Sequence, residues 1–150
     1  MIEIEKEFLN EPVYAIGLAA EKLGIAVPTL RMYEQAGLII PHRTRTQRRL
    51  YSRNDIKRLQ VIIDLIRNQR LNIESIKVLC SLTPCWKIIN CPAETREKCE
   101  AYQDGSMTPC WLVAEKCYAD RENDCGNCEV YLSCPKTLQQ PKEMIKKYLS

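Results

Sequence analysis

The sequence predicts a mainly α-helical fold in two parts: a winged helix-turn-helix domain over residues 1–82, and a small, metal-stapled, cysteine-rich module over residues 83–150. Two short helical patterns and a run of arginines occupy the first part. Eight of the nine cysteines follow Pro84, whereas the one histidine, His42, precedes it. Residues up to Leu82 carry 13 Lys and Arg against 9 Asp and Glu, and the remainder carry 9 against 10. The two parts therefore differ in chemistry.

Residues 13–37 carry the helix-turn-helix pattern. A short strand or lead-in at residues 13–16 comes before LAAEKLG, whose apolar positions suit one helical face and whose helix ends at Gly24. Pro28 suits the first turn of a second helix, because its missing N–H is not needed there. TLRMYEQAG follows, and Gly37 marks the end of that second helix.

The second helix of such a unit lies in the DNA major groove. Thr29, Arg31 and Tyr33 alternate with Leu30 and Met32, so they do not all face the same way. We expect Arg31 to contact DNA and Tyr33 to reach a phosphate from the flank, with Thr29 at the N-terminal end of the same helix. The other interpretation of Tyr33 is a core aromatic side chain with its hydroxyl at the surface.

The basic segment LIIPHRTRTQRRLYS predicts a β-hairpin wing. Residues 38–40 are expected to form its inner strand, residues 43–48 its loop and residues 49–51 its return strand. Guanidinium groups pair with phosphates or enter a narrow minor groove better than lysine ammonium groups do. A solvated basic face without a partner is the alternative. The wing arginines predicted to contact DNA are Arg43, Arg45, Arg48 and Arg49.

Two further helices are predicted after the wing. Ser52 caps the first, with Asp55 in the capping-box position three residues later. Asn72 caps the second, which Pro84 stops. The apolar stripe of the first of these helices, which predicts its buried face, comprises Ile56, Leu59, Ile62, Ile63 and Ile66.

The first half resembles the MerR family of bacterial transcription regulators through YAIGLAAEKLGIAVPTLRMYEQAGLIIPHRTRTQRRLYSRNDIKRL. GLIIPHRT and RRLYSRNDIKRL are most similar to its heat-shock repressor branch. The resemblance implies a homodimer that binds double-stranded DNA at a palindromic promoter element and bends or untwists it, with RNA polymerase as a further partner. Where that family continues into a long dimer-forming helix, this sequence has its cysteines. The DNA contacts implied are Arg31 and Tyr33 in the recognition helix, and Arg43, Arg49 and Tyr51 in the wing.

The cysteine-rich segment contains two imperfect copies of one unit. TPCW occurs at residues 83–86 and 108–111, and each copy continues to a second cysteine and then to Cys-Glu-x-Tyr.

The acidic N-terminus is unlike a secretory signal and no stretch is long and apolar enough to span a bilayer, so we expect a cytoplasmic protein. Cytoplasmic thiols are kept reduced, which favours metal ligation over disulfides. The predicted ligands are Cys85, Cys91, Cys99, Cys110, Cys117, Cys125, Cys128 and Cys134.

The pattern leaves the metal open. A single histidine and more than four cysteines favour an iron–sulfur cluster, zinc is the alternative, and reversible disulfides are a third possibility. We expect Trp86 and Trp111 to shield the metal–thiolate unit from water or to form the core of a small domain. Cys80, on the preceding helix, is predicted to be a buried apolar thiol and not a ligand.

These patterns predict a DNA-binding transcription regulator that its cysteine-ligated centre modulates through redox state or metal. One alternative is a constitutive or stress-responsive repressor in which zinc is purely structural. The other is a thiol oxidoreductase or electron carrier. Catalysis is disfavoured, because the sequence has no Ser/His/Asp set and no glycine-rich phosphate loop, and its lone Cys-x-x-Cys lacks a βαβ setting.

Overall fold

A computed structural model of the chain describes residues 2–103, 105–113, 117 and 125–149. The chain divides into two compact units, Met1–Gln69 and Arg70–Ser150. Helices dominate both units, as the fold class predicts. The division precedes the boundary predicted after residue 82, because the helix at Ile73–Ser81 packs against Glu129–Gln139 in the second unit. No helix in the described ranges is long and apolar enough to cross a membrane.

The first unit combines helices with a small antiparallel sheet of strand order β1-β3-β2. Tyr14 of β1 lies opposite Tyr51 of β3, and Arg43 of β2 lies opposite Arg49 of β3. The elements are α1 (Ile2–Asn10), β1 (Tyr14–Ala15), α2 (Ile16–Leu23), α3 (Val27–Gln35), β2 (His42–Arg43), β3 (Arg49–Tyr51) and α4 (Arg53–Arg67).

The predicted helix-turn-helix is present as α2 and α3, which pack against each other. Gly24 ends α2 with a left-handed φ of 65°, and its N–H donates to the carbonyl oxygens of Ala20 and Glu21. This conformation favours glycine, because a side chain there clashes with the backbone. Pro28 lies in the first turn of α3, and Gly37, with a φ of 79°, follows its end. The predicted positions of Gly24, Pro28 and Gly37 at the ends of the two helices are confirmed.

The wing is a hairpin, but its inner strand was predicted at the wrong residues. The paired strand is β2, whereas Leu38 and Ile39 are 0 % and 1 % exposed and belong to the core. The Leu38 carbonyl accepts a 2.7 Å hydrogen bond from Nε of the buried Arg58. Burial of apolar side chains therefore determines the path of residues 38–40, and strand pairing begins only at His42.

Helix α4 begins at the predicted capping box. Ser52 Oγ accepts from the Asp55 N–H at 3.0 Å, and Asp55 Oδ2 accepts from the Ser52 N–H at 2.8 Å. Both residues are buried, so the two hydrogen bonds satisfy backbone groups that water does not reach. Four members of the predicted stripe, Ile56, Leu59, Ile62 and Ile63, are buried, and Ile66 is half-buried.

Tyr51 fills the centre of the first unit. Its side chain is 0 % exposed, and among the described residues its hydroxyl has no hydrogen-bond partner. Burial, with the nearby Glu34 charge as the next cause, raises the pKa of Tyr51 to about 12 from its ordinary 10.0. The fold therefore favours the neutral phenol over the phenolate.

The second unit consists of short helical segments around two longer helices that contact each other, α5 and α9. Ile76 of α5 and Val130 of α9 are buried, as is Met144 of α10. The elements are α5 (Ile73–Ser81), α6 (Cys85–Ile88), α7 (Ala93–Arg96), a 3₁₀ turn (Glu100–Tyr102), α8 (Cys110–Val113), a 3₁₀ turn (Cys125–Asn127), α9 (Glu129–Gln139) and α10 (Pro141–Tyr148).

The two TPCW copies fold alike. In each copy the proline is fully buried and the cysteine begins a one-turn helix, α6 or α8. Trp86 packs edge-on against Tyr102 with ring centroids 5.3 Å apart, and Trp111 packs in the same way against Tyr131 at 5.2 Å. Each tyrosine lies three residues after the cysteine of a Cys-Glu-x-Tyr motif. The sequence repeat is thus a structural repeat, held in each copy by a Trp–Tyr contact.

We expect Ser52→Ala to lower the free energy of unfolding of the first unit by about 1–2 kcal/mol, because the buried Asp55 N–H loses its acceptor. Urea unfolding of the full chain measures the change. Asn72→Ala is the matched control: it removes the exposed cap at the start of α5 and is expected to cost less. If both variants lost the same free energy of unfolding, burial of the Ser52 cap would not add to its stabilising effect.

We expect Tyr51→Phe to raise the free energy of unfolding by about 1 kcal/mol at pH 7, because it removes a buried hydroxyl without a partner. The wild-type protein loses stability as the pH rises from 10 through about 12, because the phenol of Tyr51 ionises in the unfolded chain before it does in the folded one. Urea unfolding at pH 7 and above pH 10 should therefore show a smaller alkaline loss in the variant.

Tyr14→Phe makes the same chemical change at a half-buried position of β1 and is the control for the Tyr51 variant. It should leave the alkaline loss of the wild type intact. A stability loss at pH 7 in Tyr51→Phe would show that the hydroxyl has a partner in solution.

Candidate nucleic-acid interface and cysteine pocket

Helix α3 presents a basic and an apolar side chain to solvent. Arg31 is exposed and Met32 is 47 % exposed, whereas Leu30 between Thr29 and Arg31 is 0 % exposed. Thr29 is half-buried near the start of the helix. The structure therefore leaves the Arg31 guanidinium accessible, as the sequence predicts, and Thr29 partly so.

The two tyrosines predicted to contact DNA are buried. Tyr33 is 5 % exposed and Tyr51 is 0 % exposed, so neither ring is available to a phosphate in this conformation. Tyr33 faces away from Arg31 because residues two apart lie on opposite sides of a helix. The structure agrees with the interpretation of Tyr33 as a core side chain. It does not agree with the predicted DNA contacts of Tyr33 and Tyr51, because both side chains are buried.

Glu34 connects α3 to the wing. Its Oε2 accepts from Arg49 Nε at 2.7 Å, and its Oε1 accepts from Arg49 Nε at 3.0 Å and from Arg43 Nη2 at 3.1 Å. The Glu34 side chain is only 11 % exposed, against 41 % for Arg43 and 30 % for Arg49. A shielded carboxylate that pairs with two cations holds the wing strands in position relative to α3 more strongly than an exposed ion pair would. Arg43 and Arg49 thus support the wing as well as carrying its charge.

The wing tip is an ordered turn with exposed arginines. The Gln47 N–H donates to the Thr44 carbonyl at 2.9 Å, and the Arg48 N–H donates to Thr44 Oγ1 at 3.1 Å. Gln47 has a left-handed φ of 62°, which closes the turn. Arg45 and Arg48 are exposed. Their guanidinium groups are therefore positioned by a defined backbone while remaining open to a polyanion.

Five of the eight predicted metal ligands line one pocket in the second unit. The pocket has a volume of about 30 Å³, and Trp86, Tyr102 and Arg96 are also among its walls. Three of its cysteines belong to the first TPCW copy and two to the second. These five are Cys85, Cys91, Cys99, Cys110 and Cys117.

The environment of three of these thiols, Cys85, Cys91 and Cys110, raises their pKa and disfavours their ionisation. Burial raises the pKa of Cys85 to about 11, and the neighbouring Cys99, Cys117 and Cys91 raise it further. Burial likewise raises the pKa of Cys110, with contributions from Cys85 and Cys117. A group of thiols of this kind stays protonated at neutral pH unless a cation compensates the charge. A metal cation supplies that compensation and is bound by thiolates.

The donors suit a thiophilic metal, although they do not already converge. Within the described ranges, no three His, Cys, Asp or Glu side chains are grouped so that they could hold a metal ion. Binding therefore requires the sulfurs around the pocket to move toward a common point. Cys125 and Cys128 also raise the pKa of Cys110. The eighth predicted ligand, Cys134, does not line the pocket, and its Sγ lies 2.7 Å from Sγ of Cys80.

Two residues, Glu34 and Cys80, make long-range contacts that the sequence did not predict. Glu34 was part of the family resemblance, but its ion pairs join residues 9 and 15 positions apart in the sequence. Cys80 is buried, as the sequence predicts, and its Sγ also contacts that of Cys134, a cysteine 54 residues away. Periodicity along one segment contains no information about such long-range pairs, so neither role was visible in the sequence.

Comparison with known proteins identifies the first unit. Residues 14–83 match the family described as MerR HTH family regulatory protein. The heat shock protein HspR of Streptomyces coelicolor is 38 % identical over 73 residues, which are 49 % of this chain and 48 % of that protein. The transcriptional regulator GlnR of Bacillus anthracis is 37 % identical over 68 residues, 45 % and 52 % of the two chains.

A further relative, the transcriptional regulator TnrA of Bacillus subtilis, is 24 % identical over 94 residues, 63 % of this chain and 83 % of that protein. The chain spans about half the length of HspR and GlnR. The two glycines that end α2 and follow α3, and the exposed Arg31, all lie within the matched range. Residues 14–83 therefore form a MerR-family helix-turn-helix domain.

Proposed function

We propose that the protein is a DNA-binding transcription regulator of the cytoplasm, and that a cysteine-ligated centre in its second unit modulates it. The observation that carries the DNA-binding part is the Glu34 bridge. It holds the base of the wing beside α3, so that the exposed Arg31 and the wing-tip arginines belong to one rigid element. A recognition helix and a wing fixed together are suited to contact a groove and the flanking phosphates at once.

The charge distribution supports the same proposal. Arg31, Arg45 and Arg48 are exposed, and the wing segment between residues 43 and 58 contains one acidic residue, Asp55, which is buried. The field around the wing is therefore positive, which attracts a polyanion and makes binding dependent on salt. The relatives named as transcriptional regulators favour duplex DNA as that polyanion.

We further propose a homodimer on a palindromic promoter element, where RNA polymerase is the next partner. A small helix-turn-helix unit contacts few base pairs, and a two-fold dimer doubles the contacts. The first-unit helices end at Arg67, so a dimer of this protein requires contacts other than a long continuous helix after α4. Sedimentation of the free chain and of its DNA complex would establish the stoichiometry.

The pocket thiols are proposed to hold the centre. Cys99 and Cys117 raise the pKa of both Cys85 and Cys91, and all four thiols line the same pocket, which gives the four sulfurs that a tetrahedral site or a cluster requires. Cys117 comes from the second TPCW copy and the other three from the first. These four thiolates would therefore staple the two copies together.

Two kinds of centre suit these donors. A bound iron–sulfur cluster would supply a one-electron redox change, whereas zinc would supply only a structural cross-link. The pocket volume of about 30 Å³ has room for one or two water-sized occupants, so a single zinc ion requires less rearrangement of the surrounding sulfurs than a cluster does. A cluster would need the pocket walls to separate. Trp86 and Tyr102 would limit the access of water to either centre.

Arg31→Glu tests the DNA-binding proposal. A duplex selected from a random pool with the wild-type protein serves as the probe. We expect roughly a hundredfold weaker binding, because a base or phosphate contact becomes a repulsion. Arg67→Glu makes the same charge change at an exposed position at the end of α4 and is the control. Equal weakening by both variants would indicate non-specific electrostatics and contradict a recognition role for α3.

Cys99→Ser tests the metal proposal. We expect the full chain purified without oxygen to contain metal, and this variant to lose most of it because one of four ligands is missing. Cys134→Ser should retain the metal, since Cys134 does not line the pocket. Metal, iron and acid-labile sulfide analysis with the visible spectrum distinguishes a cluster from zinc. Metal-free wild-type protein, or loss of metal in Cys134→Ser alone, would contradict the assignment.

A further inference from the structure

Cys80 and Cys134 form a thiol pair outside the cysteine pocket. Their Sγ atoms are 2.7 Å apart, and the two residues are 2 % and 0 % exposed. Cys80 lies near the end of α5, and Cys134 lies in the middle of α9. The separation is about 0.7 Å longer than a disulfide bond of about 2.05 Å. Little movement is needed to join the two sulfurs.

A second contact holds the same two segments in register. Thr83 lies three residues after Cys80, and Thr137 lies three residues after Cys134. The Thr83 and Thr137 hydroxyls form a 3.2 Å hydrogen bond, and both residues are buried. Two contacts with equal spacing prevent the end of α5 from sliding along α9. The thiols are therefore held together by the surrounding structure.

We propose that Cys80 and Cys134 are a redox-active dithiol that a small peroxide converts to a disulfide. One thiol reacts with hydrogen peroxide to give a sulfenic acid and one water molecule. The other thiol then attacks the sulfenic sulfur, which forms the S–S bond and releases a second water molecule. The peroxide accepts both electrons. Once the protein is digested and the disulfide is accessible, a thiol such as dithiothreitol reduces it by exchange.

Burial determines how this pair reacts. Bulky oxidants cannot reach side chains that are 2 % and 0 % exposed, so a small molecule is required. The neighbouring thiol captures a sulfenic acid before a second peroxide does, which limits oxidation to the reversible disulfide. The product closes the chain from residue 80 to residue 134 and tethers α5 to α9. This inference does not depend on DNA binding or on metal in the pocket.

The test is disulfide mapping of the full chain, purified without oxygen and treated with increasing hydrogen peroxide. Remaining thiols are blocked with iodoacetamide in denaturant, and the protein is digested with trypsin without reductant. We expect a linked pair of peptides, residues 78–87 and 122–136, to appear first and to disappear after treatment with dithiothreitol. The peptides also contain Cys85, Cys125 and Cys128, so fragment ions must place the bond.

Two variants provide the controls. Cys80→Ser should abolish the linked pair, whereas Cys85→Ser, a change within the same tryptic peptide, should leave it. Alkylation of both Cys80 and Cys134 at saturating peroxide would overturn the proposal, as would a bond from Cys85. Protection of Cys80 and Cys134 from iodoacetamide by added zinc, without a disulfide, would reveal a metal site in place of the dithiol. The wild-type map alone decides the outcome if a variant fails to fold.

Discussion

The ion pairs of Glu34 are the interaction on which the attachment of the wing to α3 depends. It accepts hydrogen bonds from Arg43 and Arg49, which come from the two facing strands of the wing. Without it, two cations would lie side by side on a two-stranded ribbon that is too small to be stable alone. The same carboxylate belongs to α3, so the wing and α3 share one electrostatic anchor. Tyr51, the last residue of β3, is fully buried and so fixes the same strand to the core.

Among the described residues, the second unit buries fewer apolar side chains than the first, chiefly Ile76, Val130, Tyr131, Leu138 and Met144. Each TPCW copy compensates with a buried proline and a Trp–Tyr edge contact, so that one aromatic pair organises each copy. The cysteines then lie where the two copies meet in a pocket. Small domains of this kind commonly obtain their remaining stability from metal or disulfide cross-links. The many cysteines of the second unit and its small apolar core both indicate that cross-links contribute to its stability.

The features that the sequence predicted correctly are local ones. Gly24, the capping box at Ser52 and the stripe of α4 depend on residues within a few positions of one another, and all were confirmed. The wing strand predicted at residues 38–40 was wrong, because a short continuous apolar run does not distinguish a paired strand from an irregular segment buried in the core. The partners of Glu34 and Cys80 are far away in sequence and required the fold.

Helix α5 belongs to the family-matched domain by sequence and to the second unit by packing. It lies within the family-matched range at residues 14–83, yet it packs in the second unit and carries Cys80. A chemical change at the cysteines can alter DNA affinity only if it stabilises one conformation of the chain more than another. The segment from Asn68 to Asn72, where Arg70 adopts a left-handed φ of 55°, is the covalent path between α4 and α5. A cross-link that fixes α5 on α9 therefore restrains the chain directly after the DNA-binding unit, whatever centre occupies the pocket.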